Sequence, residues 1–471
     1  MNNDKKKAKA SLNKTITKMV PAVLTAMIAT TLGFISLYTS PVPMIQDFGK
    51  MLTIGLVVSF ILGIFLLIPI LFIRDYFFSE DKGKQRQLRK KIPSNIDKVL
   101  DWITGKTITF RWGIIIIVAV TAAFGIWMDL DADAETDVET FMPQDTQELN
   151  DIHKLRDVIG TTDQISIVYE SDDIFSDQVN TWVDDLTESL ETEFPDVVVK
   201  TNSLTSVVKQ MNDEELPEAE EFKEEVANIP EDQLKLFLNE SETKGVISIG
   251  IEHLEAYDLE LFIDDLGVYL ENNDLVTVDT TITGKSVLDV EMIQGLTTGR
   301  YQMTLIGMGL VFLSLLVIYR NLVKAFIPLL PIIFIVGWSG LIMYFLDMSY
   351  TPLTATLGAL IIGIGTEFTV LIMERYYEER EKGYQSREAI KMANKNIGKA
   401  VFVSAITTIG GFSALLASDF VILNNFGLMT LINISLALFS TLIVMPPILI
   451  ILDRFVKIKQ SNLISSHTGL S

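Results

Sequence analysis

The chain has 471 residues, is 49% hydrophobic and carries a formal charge of −22. A soluble protein that acidic is usually less apolar, so the charge and the apolar residues must lie in different places. They do: from Asp131 to Arg300 there are 43 acids and 9 bases, and the remainder holds 17 acids and 29 bases. The absence of cysteine excludes disulfides and thiolate metal sites. His153, His253 and His467 lie far apart without motif spacing, so no metal centre is expected. No cofactor, nucleic-acid partner or enzymatic activity is indicated.

In chain order, a Lys-rich arm occupies residues 1–18, and its first apolar run reads as a retained span, not a cleaved leader. A bilayer core needs about 20 apolar residues in helical form. Eight runs qualify: 19–38, 51–73, 110–128, 301–319, 325–346, 351–373, 399–417 and 427–452. Arg74 to Lys91, Arg320 with Lys324, Arg375 to Lys399, and Arg454 with Lys457 are each separated by an even number of spans. The excess of bases in cytoplasmic loops places both termini inside and the acidic region outside. No Lys or Arg is expected deep in a span.

Within the acidic region, residues 164–170, 197–200, 245–253 and 276–284 alternate like strands, and 177–190 and 256–270 have helical spacing. Residues 213–239 read as an acidic helical insertion, most simply a solvated face. A last helix from Lys285 runs into the fourth span. Two β-α-β units in series predict a ferredoxin-like α+β sandwich. The expected fold is therefore a polytopic α-helical membrane protein with eight transmembrane helices and one extracytoplasmic α+β ferredoxin-like domain. Gly284-Lys285-Ser286 is no phosphate loop, because Asp279 stands where the first glycine is needed.

The first two spans repeat in the last two. At a shift of 378 residues, Ile28, Thr30, Gly33, Phe34, Leu37 and Ser40 fall on Ile406, Thr408, Gly411, Phe412, Leu415 and Ser418. Phe48, Gly49, Pro69 and Asp75 fall on Phe426, Gly427, Pro447 and Asp453. Hydrophobic composition alone would match Ile and Leu, but not Gly-Phe, Phe-Gly and Pro as well. Repeated halves are a transporter signature, and here both copies run in the same direction.

An ionisable group in hydrocarbon costs about 2.5–3.5 kcal/mol on insertion scales and marks function by default. Glu367 is such a group, in Gly363-Ile-Gly365-Thr-Glu367-Phe368 of the sixth span. Gly363 and Gly365 allow a neighbouring helix to approach closely. Glu367 is a candidate proton-relay carboxyl; the alternative is a neutral packing residue or one that reaches toward the inner face. Hydroxyls stand ready on the seventh span at Ser404, Thr407 and Thr408, although membrane threonines often bond only their own backbone. Glu374, before Arg375, reads as a boundary charge.

Gly363-Ile-Gly-Thr-Glu367-Phe, followed by Glu374-Arg-Tyr-Tyr-Glu-Glu-Arg380, is similar to the G-x-G-x-D-Y…R-Y-x-E-E stretch of the resistance-nodulation-division (RND) superfamily. The closest branch is the MMPL-type exporters, with a sterol-sensing-like bundle. Phe141-Met-Pro-Gln-Asp-Thr, Tyr319-Arg-Asn-Leu and Thr283-Gly-Lys fit the same pattern. The resemblance runs from Lys14 to Phe455, with Glu in place of Asp at 367 and Phe in place of Tyr at 368.

The resemblance implies twelve spans in two halves, of which this chain looks like the C-terminal two-thirds. Residues 1–18 are then a cytoplasmic arm, 19–73 two spans of a first half, and 74–109 a cytoplasmic linker. Residues 110–128 are the next span, 129–300 the outside domain, 301–455 a five-helix bundle and 456–471 a cytoplasmic tail. It also implies export of hydrophobic or amphiphilic compounds, lipids or drugs, across the cytoplasmic membrane, driven by the proton gradient. Glu367 would be the second-half relay acid, with Thr407 and Thr408 as its hydroxyls. The first-half acid has no counterpart, so a second chain, or a homo-oligomer, is the expected partner. An accessory role in protein secretion and a non-transporting lipid sensor are the alternatives.

Overall fold

A computed structural model describes residues 16–17, 20–77, 95–130, 132, 140, 143, 146–159, 163–254 and 256–456. The bases at Lys5 to Lys14, Lys18 and Lys82 to Lys91, most of the Phe141–Thr146 stretch, Lys457 and His467 lie outside the described residues. The chain divides into two compact units, residues 1–135 with 295–471, and residues 136–294.

The first unit holds eight helices long and apolar enough to cross a membrane among the described residues: Val20–Thr39, Pro43–Arg74, Arg111–Asp129, Gly299–Tyr319, Leu322–Phe345, Thr354–Glu381, Ser386–Ala417 and Val421–Phe455. They match the eight predicted runs. Their ends move by several residues because caps and amphipathic extensions, which hydropathy does not see, set helix length. The sixth span is the most enclosed, whereas no residue in the apolar stretch of the second is fully buried. In lipid no hydrophobic force drives helices together, so small residues and interhelical hydrogen bonds do that work. The third and fifth spans pack closely where Ala122 and Gly125 meet Gly337. There the Trp338 indole N–H donates to the Thr121 hydroxyl at 2.9 Å, a bond worth about 1–2 kcal/mol in model peptides.

Residues 95–109 lie within the expected 74–109 linker. They form a helix, Asn95–Thr109, that buries Leu100, Thr104, Thr107 and Ile108. It packs against a second amphipathic helix, Ser386–Asn396, through Asn394 Nδ2 donating to Thr104 Oγ1 at 2.9 Å. Their apolar residues recur every three to four positions, one stripe wide, which suits a membrane boundary better than its interior.

The repeat is visible as geometry. Both copies end their first helix in a 3-10 turn, Ser36–Thr39 and Ser413–Ala417. Both interrupt their second helix with a π-turn, Gly63–Leu67 and Ser440–Val444, before the matched Pro69 and Pro447. A Cβ on Gly49 would stand 2.7 Å from Leu37 Cβ, and one on Gly427 would stand 2.7 Å from Leu415 Cβ. Those are the same two contacts displaced by 378 residues, and only glycine permits either approach.

The second unit begins with α1 (Gln147–Ile159) and continues β1 (Asp163–Glu170), α2 (Asp177–Glu193) and β2 (Val198–Asn202). Then come α3 (Leu204–Met211), α4 (Ala219–Asn228), α5 (Glu231–Leu234), β3 (Lys244–Ile251), α6 (Ala256–Asn272) and β4 (Asp279–Thr283). The sheet has the order β2-β3-β1-β4 and is antiparallel throughout. Two β-α-β units therefore interleave, each helix carrying its chain past the intervening strand. Ile165 opposes Ile249 and Ile167 opposes Ile247, and all four are fully buried. They form the core with Val179, Val183 and Leu186 of α2 and Leu266 and Leu270 of α6.

The acidic insertion expected over 213–239 is two helices and a turn. Asp213 and Glu214 take left-handed backbone angles and break the run before α4. Lys209 ties α3 to α2 through Asp184 (2.9 Å) and Glu188 (2.7 Å). Those hydrogen bonds, Glu188 first, hold its ammonium above the usual lysine range.

Candidate functional site in the membrane bundle

The first and sixth spans run side by side in opposite directions and meet at Gly363. Thr30 Oγ1 reaches across to the Gly363 carbonyl at 3.0 Å while also bonding its own Ala26 carbonyl at 3.0 Å. A Cβ on Gly363 would stand 2.9 Å from Thr30 Cγ2 and 3.0 Å from Phe34 Cε1, so a larger residue would part the helices. Gly365 faces elsewhere, toward Ile332 of the fifth span. Thr369 Oγ1 adds a bond to the Pro328 carbonyl at 3.3 Å.

Glu367 lies one turn beyond Gly363 on the same helical face, at the level of Ala26. Its neighbours Thr366 and Phe368 are buried, yet Glu367 itself is exposed at the surface of the chain. It makes no hydrogen bond or ion pair among the described residues. The phenyl ring of Phe368 sits in the apolar core.

Thr407 and Thr408 are not joined to Glu367. Their hydroxyls donate to the Val403 and Ser404 carbonyls of their own helix, at 2.9 and 3.0 Å. The seventh span packs chiefly on the eighth and leaves most of its length uncovered. The repeat explains the placement. Thr30 and Gly33 of the first span seat against Ile362 and Gly363. Their counterparts Thr408 and Gly411 have no such neighbour, and a Cβ on Gly411 would meet nothing within 4 Å.

A second polar centre was not foreseen. Asp129 and Arg300, 6% and 5% exposed, pair at the domain ends of the third and fourth spans. Arg300 donates through Nη1 to Asp129 Oδ1 (3.4 Å) and through Nη2 to the Asp129 carbonyl (2.6 Å). Tyr301 and Tyr350 each donate a hydroxyl to the Asp129 carboxylate at 2.7 Å. The guanidinium lies 3.6 Å over the Tyr350 ring. Arg300, the second residue of the fourth span, is enclosed because its charge is matched by its neighbours. Each residue stands at the edge of an apolar run, and hydropathy reads such an edge as a boundary. The only signal was an Asp and an Arg bounding the same acidic insert.

At the opposite, basic end, Arg375 bonds Glu378 (2.6 Å) and Glu379 (2.5 Å), and Arg380 bonds Asp453 (2.8 Å). Lys382 bonds Glu378 (3.0 Å) and Glu379 (2.9 Å). The Arg380–Asp453 pair fixes the end of the sixth span to the last described helical turn. Asp453 also accepts from Ser386 at 2.8 Å.

Comparison with known proteins places this bundle. Residues 264–466 match the MMPL family. A Methanocaldococcus jannaschii protein named as a membrane protein is 26% identical over 355 residues, which cover 73% of this chain and 91% of that one. The Mycobacterium tuberculosis sulfolipid-1 exporter MmpL8 is 25% identical over 155 residues, 31% of this chain but only 14% of the exporter. The membrane protein YdgH of Bacillus subtilis is likewise matched over 16% of its length, at 31% identity. The hedgehog release protein Disp of the water bear Hypsibius dujardini shares the fold, with a TM-score of 0.63 at 12% identity. That alignment covers 92% of this chain and 58% of Disp. The chain is a membrane protein, and its residues 264–466 are similar to the MMPL family.

Proposed function

We propose that this chain exports hydrophobic or amphiphilic compounds across the cytoplasmic membrane as an RND-type bundle driven by the proton gradient. The observation that carries this reading is Glu367: a carboxyl in the middle of the most enclosed span, beside a glycine contact, with no fixed cation among the described residues. Charging it in hydrocarbon costs about 2.5–3.5 kcal/mol. Taking up a proton therefore changes what the first and sixth spans can pack against, and that links protonation to helix position. The family match and the exporter among the relatives support a lipid-like cargo.

Orientation follows the bases. Arg74, Arg320, Arg375, Arg380 and Lys382 gather at one end, which is the cytoplasmic face in this reading. The α+β unit is then extracytoplasmic, and its antiparallel β2-β3-β1-β4 order supports the ferredoxin-like assignment.

The open face of the seventh span bears on the partner. Ser404, Thr408 and Gly411 repeat Ala26, Thr30 and Gly33, which seat the sixth span. They suit a helix of the same kind, with a glycine carbonyl for Thr408 and a carboxyl one turn on. A second copy of this chain already covers that face of its sixth span with its own first span. A different polypeptide therefore fits better than a second copy.

The test is export of headgroup-labelled fluorescent phosphatidylethanolamine from cells carrying Glu367→Gln or Glu367→Asp. Loss of export by the first and partial export by the second are expected. Undiminished export by Glu367→Gln defeats the reading and leaves Glu367 a packing residue.

A further inference from the structure

Below Glu367 the sixth span carries a stripe along one face. Leu371, Glu374, Glu378 and Glu381 follow it at four, seven, eleven and fourteen residues, close to whole turns of a helix. All except Glu367 line one cavity of about 250 Å³ at the basic end of the bundle. Ala22 of the first span, Tyr319 of the fourth, Lys324 at the start of the fifth and Ile397 of the seventh close its other sides.

The charges in this cavity are not equivalent. Arg375 and Lys382 hold Glu378, and Glu381 lies at the exposed mouth. Glu374 stands outside that salt-bridge network and is the innermost acid of the cavity. Lys324 is the nearby fixed cation, with its ammonium 4.2 Å from the Tyr377 ring centroid. The Tyr377 hydroxyl belongs to a side chain only 4% exposed and has no hydrogen-bond partner among the described residues. A buried hydroxyl left unpaired on the wall of a polar cavity calls for water. Toward the membrane centre the cavity ends at Leu371, and Glu367 lies one turn further.

We propose that this cavity is the aqueous inner mouth of the proton route and that Glu374 carries the proton between it and Glu367, with Leu371 as the apolar partition between them. The proposal rests on the proton-relay reading of Glu367. In the inward step a proton leaves a Glu367 carboxyl oxygen, crosses at Leu371 through transient water, and binds a Glu374 carboxylate oxygen. Glu367 is left as carboxylate. Glu374 then gives the proton to cavity water, so one proton moves and nothing is oxidised. Tyr377 holds the cavity water in line. The seven-residue spacing puts the two carboxyl-bearing positions about 10.5 Å apart along the helix, too far for direct transfer and short enough for a few waters.

The test uses membrane vesicles from cells producing the full chain, which retain any second polypeptide, with proton uptake read from an interior pH dye while labelled phosphatidylethanolamine is the transported probe. The chain lacks cysteine, so Leu371→Cys is a unique thiol. It should react with a small impermeant thiol reagent from the basic side only, while Leu313→Cys, facing lipid, should not. Glu374→Gln should slow proton uptake about tenfold or more, the effect of losing one positioned proton carrier. Azide, a small diffusible acid-base, should restore it, and Glu374→Asp should be intermediate. Labelling of Leu371→Cys should persist in the Glu374→Gln background, which shows the fold intact. Normal uptake by Glu374→Gln, slow uptake that azide does not restore, or an unreactive Leu371→Cys each overturns the proposal. If Glu367→Gln also takes up protons normally, the underlying reading has failed, and the two failures are thereby told apart.

Discussion

Two carboxylates of this chain sit in opposite circumstances, and the contrast decides what each can do. Asp129 is held by Arg300, Tyr301 and Tyr350, so its charge is spent on joining the third and fourth spans and the 347–353 loop. Glu367 makes no hydrogen bond or ion pair among the described residues. Removing one partner of a buried ion pair strands the other and costs about 3–5 kcal/mol, whereas removing both costs much less. Asp129→Ala should therefore lower the thermal stability of the purified chain sharply. Asp129→Leu with Arg300→Leu should recover much of the loss. A double variant no more stable than Asp129→Ala would mean that the tyrosines, not the charge pair, hold the site. Glu367 was legible in the sequence because a lone acid interrupts an apolar run. The Asp129 cluster was not, because its parts are scattered from residue 129 to residue 350 and become a site only when three segments meet.

At the scale of elements, the eight spans and four strands were legible because burial imposes periods of 3.6 and 2 on the chain. Asn95–Thr109 escaped because only one stripe of it is apolar, so its average hydropathy is that of a linker. The breaks within the acidic insertion depend on left-handed turns at Asp213 and Glu214, for which composition offers no signal. The repeat was legible as matched residues; that its two copies have unequal neighbours was not. That inequality yields a paired prediction. A Cβ on Gly33 stands 3.1 Å from Ile362 Cγ2, so Gly33→Leu should overpack the contact and destabilise the purified chain by about 1–3 kcal/mol. Gly411→Leu should leave that stability unchanged and instead reduce export in cells, where a partner helix would seat. Equal loss of stability in both would show that Gly411 already packs within this chain, and normal export by Gly411→Leu would remove the seat.

For the whole molecule, an acidic α+β unit rich in buried Ile and Val joins a bundle held by small residues and polar bonds, and each uses the packing its solvent allows. The central claim is that a proton gradient drives a lipid-like compound outward through this bundle. Membrane vesicles from cells producing the chain would retain any second polypeptide. The most direct measurement follows labelled phosphatidylethanolamine and internal pH together in such vesicles, before and after nigericin collapses the pH gradient. The account predicts that probe movement stops when the gradient is lost and that Glu367→Gln vesicles show neither movement nor proton uptake while the gradient stands. Probe movement that continues at the same rate without the gradient would contradict it.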